Sequence, residues 1–269
     1  MPFKLGPRAS SQGYRLAAFD QIGSTNAEAM ARARDGERGP VWFVTTEQTA
    51  GRGRRNRPWI APRGNLASSI LEVMDTTPLA AATLGFAAGL AVQWALRKVT
   101  AEASRRSSRL DKADFLLKWP NDVLADGKKL VGINLEAETV SERLAVVVGI
   151  GTNVVAAPEG TPTPAISLAA LGFDVTAEEL FADLSDGWAE FRGIWDNGCG
   201  FAEIRKSWLA GAAGLGEPVA IRSGSVTIEG VFETLDEQGC MIVRTPEGRR
   251  IPITAGDVHF GSAASARAT

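Results

Sequence analysis

Residues 115–138 read FLLKWPNDVLADGKKLVGINLEAE, and the parsing of this stretch decides the organisation of the whole chain. Phe115 to Trp119 reads as a strand, stopped by Pro120, which fixes φ and removes an N–H donor. Val123–Ala125 and Leu130–Glu138 flank Asp126-Gly127, a dipeptide suited to the two-residue turn of a β-hairpin. Lys118 and Asp122 then stand at one strand end, with Lys128-Lys129 on the returning strand. Side chains alternate along a strand, so one of those two lysines points inward and the other outward.

Outward from the hairpin, Tyr14–Ile22 is extended, and Val41–Thr46, Leu66–Met74 and Leu144–Ile150 carry the apolar, β-branched composition of strands. Ser24-Thr25-Asn26, with Glu28 three residues after Thr25, reads as a capping box that opens a helix to about Arg34. Thr176-Ala177-Glu178-Glu179 is a second box, and Leu180, Leu184, Trp188, Phe191 and Trp195 form the apolar stripe of its helix. Phe201–Leu209 is a further short helix. Glu47–Arg63 and Val154–Pro164 read as loops, the first long enough to expect a function. Thr100–Lys112 shows no apolar period and reads as a surface linker, and the tail Ser262–Thr269 reads as frayed. After Gly211 the pattern changes to short alternating runs separated by glycine turns, the mark of a small all-β module, read as a compact barrel. The division is therefore 1–211 and 212–269.

Composition excludes more than it assigns. The chain has 269 residues, 45% hydrophobic and 22% charged, which is globular and leaves room for one large and one small domain. A net charge of −2 argues against a protein that coats nucleic acid. The single histidine, His259, stands against a Ser-His-Asp triad and HExxH zinc chemistry. Cys199 and Cys240 form no CxxC, which suits a reducing cytoplasm. Residues 1–4 begin no apolar run of signal length, so neither export nor a membrane location is expected. Leu79–Leu96 is uncharged and contains Gly85 and Gly89 in a GxxxG, yet its Ala, Gly, Thr83 and Gln93 fit a buried helix better than a span.

Three segments carry chemistry. Gly51-Arg52-Gly53-Arg54-Arg55-Asn56-Arg57-Pro58-Trp59 places four arginines in six positions, a cationic loop for an anionic ligand. The same loop also fits a solvated surface or an arm in the DNA minor groove. Lys118-Trp119-Pro120-Asn121-Asp122, followed by Lys129, Gly132 and Glu136, sets two cations and a carboxylate at a strand end. Gly149-Ile150-Gly151-Thr152-Asn153 follows an apolar strand, where glycines admit close approach and Asn153 can read a hydrogen-bonding edge.

In this order, Ser24-Thr25-Asn26, Gln48 with Ala50-Gly51-Arg52-Gly53-Arg54-Arg55, Lys118-Trp119-Pro120-Asn121-Asp122, Lys129-Leu130-Val131-Gly132-Ile133 and Gly149–Asn153 resemble the biotin–protein ligases. The resemblance spans about residues 14–260. It implies an α+β fold: a mixed β-sheet with flanking helices, like a class II aminoacyl-tRNA synthetase, then a small SH3-like β-barrel. It implies activation of biotin by ATP to biotinyl-5′-AMP, then transfer to a lysine of a biotin carboxyl carrier protein, with Mg²⁺ held through the phosphates.

The roles it implies are as follows. Ser24, Thr25, Asn26, Gln48, Gly51, Arg52, Gly53, Arg54, Lys129 and Gly132 bind biotin. Arg54, Arg57, Trp59, Lys118, Asn121, Asn153 and Ser167 bind ATP or the adenylate. Lys129, Arg52 and Asp122 are catalytic, Asp122 helping to present the acceptor lysine. No winged helix-turn-helix pattern precedes Thr25, so a ligase without the repressor module and without specific DNA binding is expected; a homodimer is compatible. The alternatives are a lipoate or octanoyl ligase or transferase of the same fold, which would want a cysteine in the site if a transferase, and a nucleic-acid-binding protein using the Arg loop.

Overall fold

The structure, a computed structural model, describes residues 2–107, 113–161, 163–223 and 226–260. In chain order the elements are α1 (Pro7–Ser11), β1 (Arg15–Phe19), α2 (Thr25–Arg34), β2 (Val41–Thr45), β3 (Leu66–Met74), α3 (Pro78–Ala82), α4 (Leu84–Ser107), β4 (Phe115–Lys118), β5 (Asp122–Ala125), β6 (Lys128–Val140), β7 (Arg143–Thr152), α5 (Ala177–Trp195), α6 (Phe201–Ala210), β8 (Pro218–Ser223), β9 (Val226–Leu235), β10 (Met241–Arg244), β11 (Arg250–Ile253) and β12 (Asp257–Phe260).

Seven strands form one sheet in the order β1-β2-β3-β7-β6-β5-β4. Its β1–β2 ladder is parallel and the others are antiparallel, so the sheet is mixed. Strand β2 (VWFVT) is buried at every position because both faces are covered. Trp42 and Val44 enter the main core, where Trp42 meets Phe181 and Trp188 edge to face at 5.5 and 6.2 Å. Val41 and Phe43 enter a second cluster with Ala29, Met30 and Ala33 of α2. Helices α4 and α5 pack on each other over the first face. Two of the buried indoles are paired at their polar tips: Trp195 Nε1 donates to Thr83 Oγ1 (2.7 Å) and Trp188 Nε1 to Glu72 (3.1 Å).

The expected hairpin is present, with Asp126 and Gly127 both at positive φ. The Thr176–Glu179 capping box is formed with both of its reciprocal bonds. Two expectations are corrected. The cap of α2 is Ser24, whose Oγ accepts from the Ala27 N–H, while Glu28 pairs with Arg32 instead. Thr25 cannot serve, because its hydroxyl is engaged with Gln48 and Ser69. The segment read as a linker is helical up to Ser107: Val92, Leu96, Val99 and Ala103 continue the buried stripe of α4, and Thr100 Oγ1 donates back to Leu96 O. Helix α4, with α3, is long and apolar enough to cross a membrane by composition, but 72% of its most apolar window is buried inside the protein. Residues 108–112 and the tail 262–269 lie outside the described residues.

The last five strands form an antiparallel sheet in the order β11-β10-β9-β8-β12. Val219, Ile221, Phe232, Met241, Val243, Ile253 and Val258 are buried within it and are continuous with the main core. Trp119 Nε1 donates to Gly239 O (3.0 Å), tying the end of β4 to this second sheet.

Trp188 is fully buried against Trp42 and holds Glu72. Trp188→Ala is expected to lower unfolding free energy by about 3–5 kcal/mol in urea denaturation, from lost packing and the cavity left behind.

Candidate active site

The face of the large sheet opposite α4 and α5 changes character along its length. Under α2 it bears Leu71, Val73, Ala145 and Val147. Further on it bears Ala67, Gly132, Gly149 and Gly151, and a cavity of about 380 Å³ opens there. These glycines are required by what lies on them. A Cβ at Gly151 would stand 2.4 Å from the Trp59 ring, and one at Gly149 would stand 2.1 Å from Asn26 Oδ1.

A β-bulge sets the key lysine. The β5–β6 register shifts so that Val123 faces Val131 while Leu124 faces Lys129, leaving Leu130 as the extra residue. Lys129 and Gly132, three apart, therefore share the cavity face: a Cβ on Gly132 would lie 3.3 Å from Lys129 Nζ. Lys129 forms an ion pair with Asp122 at 2.6 Å, both side chains largely covered, whereas Lys128 is exposed. Lys129 is thus the inward lysine, although alternation is broken one residue later. Its backbone is clamped by Pro164 and Ile166 of the loop after β7.

The loop 47–63 forms the wall. Its ends are tied by Trp59 N–H to Gly51 O (2.9 Å), and Gly53 N–H donates to Arg57 O (2.8 Å). Arg55 sits at positive φ in the single 3-10 turn at its tip. Arg54 donates to Asn121 Oδ1 (2.8 Å), and Asn121 Nδ2 donates to Ile133 O (2.7 Å). Burial pushes the Arg54 guanidinium below its ordinary value, with Arg55 adding to the effect. Arg55 and Arg57 both reach Asp257 on β12 at 3.2 Å. Partial burial raises that carboxyl, but Arg57 and Arg55 outweigh it and hold Asp257 below the usual carboxylate range.

The two ends of the cavity differ. One is neutral and polar: Ser24, Thr25, Asn26 and Gln48 line it, with Thr25 N–H donating to Gln48 Oε1 (2.8 Å). The other is cationic, with Lys129, Arg52, Arg54, Arg57 and Lys118. Burial drives the Lys118 ammonium below the ordinary lysine value; Asp122 opposes this and Lys129 adds to it. Asn153 lines the cavity and donates to Ile166 O (3.2 Å).

Two residues expected at the site do not line this cavity. Gly51 does not line the cavity; it closes the loop, where a Cβ would meet Trp59 O at 2.5 Å. Ser167 does not line it either, since its hydroxyl accepts from Ala170 N–H in a local turn. Conversely, Arg222, Asp257 and His259 of the second sheet do line it. His259 Nε2 is buried without a partner among the described residues, and burial, with Lys118 and Arg222 nearby, lowers its pKa. Only tertiary contact between the two sheets reveals these three residues, so no local pattern could have found them.

Comparison with known proteins adds the family. Residues 20–153 match the Biotin/lipoate A/B protein ligase family and residues 214–261 match the Biotin protein ligase C terminal domain. The chain is 41% identical over 245 residues to the biotin--[acetyl-CoA-carboxylase] ligase of Paracoccus denitrificans, covering 88% of this chain and 97% of that one. It is 34% identical to the enzyme of the same name from Mycobacterium tuberculosis, covering 93% and 90%. Among solved structures it resembles a biotin protein ligase from Aquifex aeolicus in complex with biotin and ATP, with a TM-score of 0.72, 26% identity and coverage of 92% and 99%. The chain belongs to the biotin protein ligases of this family.

The floor is testable without any ligand. Gly149→Ala should force Asn26 aside and cost about 1–3 kcal/mol in urea denaturation, the scale of a disrupted buried hydrogen bond. Gly85→Ala, in α4 with open space around the added methyl, should be neutral or stabilising by up to about 1 kcal/mol.

Proposed function

We propose that this chain joins biotin to ATP, forming biotinyl-5′-AMP and pyrophosphate, and passes the biotin to a lysine of a biotin carboxyl carrier protein. One observation carries the reading: a neutral hydrogen-bonding pocket and a cluster of cations share one glycine floor, with Lys129 between them. The uncharged ureido head of biotin suits Thr25 and Gln48, and its carboxylate then extends toward Lys129. There the carboxylate oxygen attacks the α-phosphorus, the bond to the β-phosphate breaks, and pyrophosphate leaves. Negative charge develops on phosphate oxygens that are already anionic, so preorganised cations are the main requirement. Lys129, Arg54 and Arg57 meet it, and Trp59 offers a ring face for adenine, with Lys129 Nζ 5.6 Å from its centroid.

In the second step the acceptor amine attacks the carbonyl carbon of the mixed anhydride and AMP leaves. Asp122, beside Lys129, is placed to receive the amine as a hydrogen-bond acceptor. No histidine base is needed. The loop 47–63 covers the cavity and keeps water from the anhydride. Among the described residues no three His, Cys, Asp or Glu gather into a metal site. A Mg²⁺ would instead be held through the phosphates of ATP, where it would offset their charge; Asp122 and Asp257 are the carboxylates that line the cavity.

The division at 211, the SH3-like character of the five-stranded sheet and the synthetase-like character of the larger one belong to the same proposal. The mixed seven-stranded sheet and the short antiparallel strands around Phe232 support it. A cytoplasmic location fits two free cysteines. A transferase that uses a cysteine is disfavoured, because neither Cys199 nor Cys240 lines the cavity. Binding of nucleic acid through the Arg loop is disfavoured, because all four of its arginines line the cavity and Arg54 is held by Asn121.

Pyrophosphate release should depend on added biotin, and a carrier domain should then gain the mass of one biotinyl group. Release that is absent, or equally strong with lipoate, would refute the reading. Lys129→Ala should cut adenylation about 10²–10³-fold at saturating biotin, while Lys128→Ala stays near wild type. The reverse pattern would place the site on the wrong face of β6.

Lys118 gives a pH signature. Its ammonium has a lowered pKa, so it is charged below that value and neutral above it. The KM for ATP should therefore rise as pH climbs toward the lysine range, earlier than for an exposed lysine. Lys118→Arg, which stays charged, should remove this alkaline limb.

A further inference from the structure

Beneath the neutral end of the cavity lies a chain of polar groups that the roles above leave unused. Glu136 on β6 and Ser69 on β3 stand behind Asn26 and Thr25, and neither lines the cavity. The Glu136 carboxylate accepts from Asn26 Nδ2 (2.9 Å) and from Asn134 Nδ2 (3.0 Å). Ser69, fully buried, donates to Asn26 Oδ1 (2.6 Å) and lies 2.7 Å from Thr25 Oγ1. Thr25 Oγ1 in turn lies 3.1 Å from Gln48 Oε1, which already receives the Thr25 N–H.

Counting protons fixes the direction of this chain. A carboxylate only accepts, so Asn26 must turn its NH₂ to Glu136 and its carbonyl oxygen to Ser69. That carbonyl has no proton, so Ser69 gives its single proton there. The Thr25 proton then has two neighbours that can take it, Ser69 Oγ at 2.7 Å and Gln48 Oε1 at 3.1 Å. Either use spends it within the chain, so Thr25 Oγ1 is left as an acceptor toward the cavity. Gln48 is fixed as well: its Oε1 is occupied by the Thr25 N–H, so its Nε2 is left to donate.

We propose that Ser69, held by Glu136 through Asn26, is a positioning residue that sets one acceptor at Thr25 and one donor at Gln48, so that the pocket selects a ring carrying N–H beside C=O. This rests on the biotin reading above and adds a cause for its specificity. A cyclic urea offers that pair, whereas a dithiolane ring has no N–H to give Thr25.

The test is adenylate formation by the full chain with biotin or desthiobiotin, which carry the same ureido group. Ser69→Ala should raise KM for both by an equal factor of about ten, one net hydrogen bond. The kcat at saturation and KM for ATP should stay close to wild type, while the thermal midpoint falls by a few degrees because Asn26 Oδ1 loses a buried partner. Ser69→Cys, which keeps a weak donor, should fall between the two. Glu136→Gln, which can donate, should raise the same two KM values severalfold, and the double variant should be no worse than Ser69→Ala, because both act through one chain. An unchanged KM for biotin, an equal rise in KM for ATP, or additive losses in the double variant would overturn the inference. Wild type that turns over no biotin would instead overturn the reading of the activity, so the two failures are distinct.

Discussion

Three glycines leave the central sheet without side chains over the width of a small ligand, and the rest of the site is arranged around that gap. Gly132, Gly149 and Gly151 lie side by side on β6 and β7, where Gly132 pairs with Gly151 and Asn134 with Gly149. A methyl on Gly149 or Gly151 would strike Asn26 or Trp59. The opposite face of the same strands bears Val131, Ile133, Val148 and Ile150, all buried in the main core. One pair of strands thus anchors the fold on one side and forms the floor for Asn26, Trp59 and the cavity on the other, with period-two alternation separating the two tasks.

The cations are placed by different devices. The bulge at Leu130 brings Lys129 onto the glycine face, and Asp122 on the paired strand holds it there. The Arg loop is tied at its base by Trp59 and Gly51 and at its flank by Asn121. Its tip rests on Asp257 of the second sheet through partly exposed pairs at 3.2 Å. Such pairs are worth little in water, so an anion entering the cavity can take these arginines from Asp257 at small cost. The second sheet therefore does more than append to the first: it lines the cavity with Arg222, Asp257 and His259.

Much of this was legible in the sequence because it is local. The Asp126-Gly127 turn, the Pro120 stop, the Thr176 box and the strand at Leu66–Met74 are each set by residues within a few positions. What was missed depends on distant partners. Thr25 looked like a cap until Ser69, 44 residues on, claimed its hydroxyl. Thr100–Ser107 looked like a linker because Arg and Ser dominate it, yet Val99 and Ala103 still reach the core. His259 reads in the sequence as a lone histidine, and the second sheet brings it to the cavity wall.

The proposed function requires the neutral head at Thr25 and Gln48 and the carboxylate–phosphate junction at Lys129. A crystal structure with a non-hydrolysable biotinyl-adenylate analogue tests it most directly. The expected result is the ureido ring against Thr25 and Gln48, the chain over Gly132 and Gly149, and the phosphate within hydrogen-bond reach of Lys129 Nζ. A phosphate contacted by Lys128 in place of Lys129, or a ureido ring seated away from Thr25 and Gln48, would contradict it.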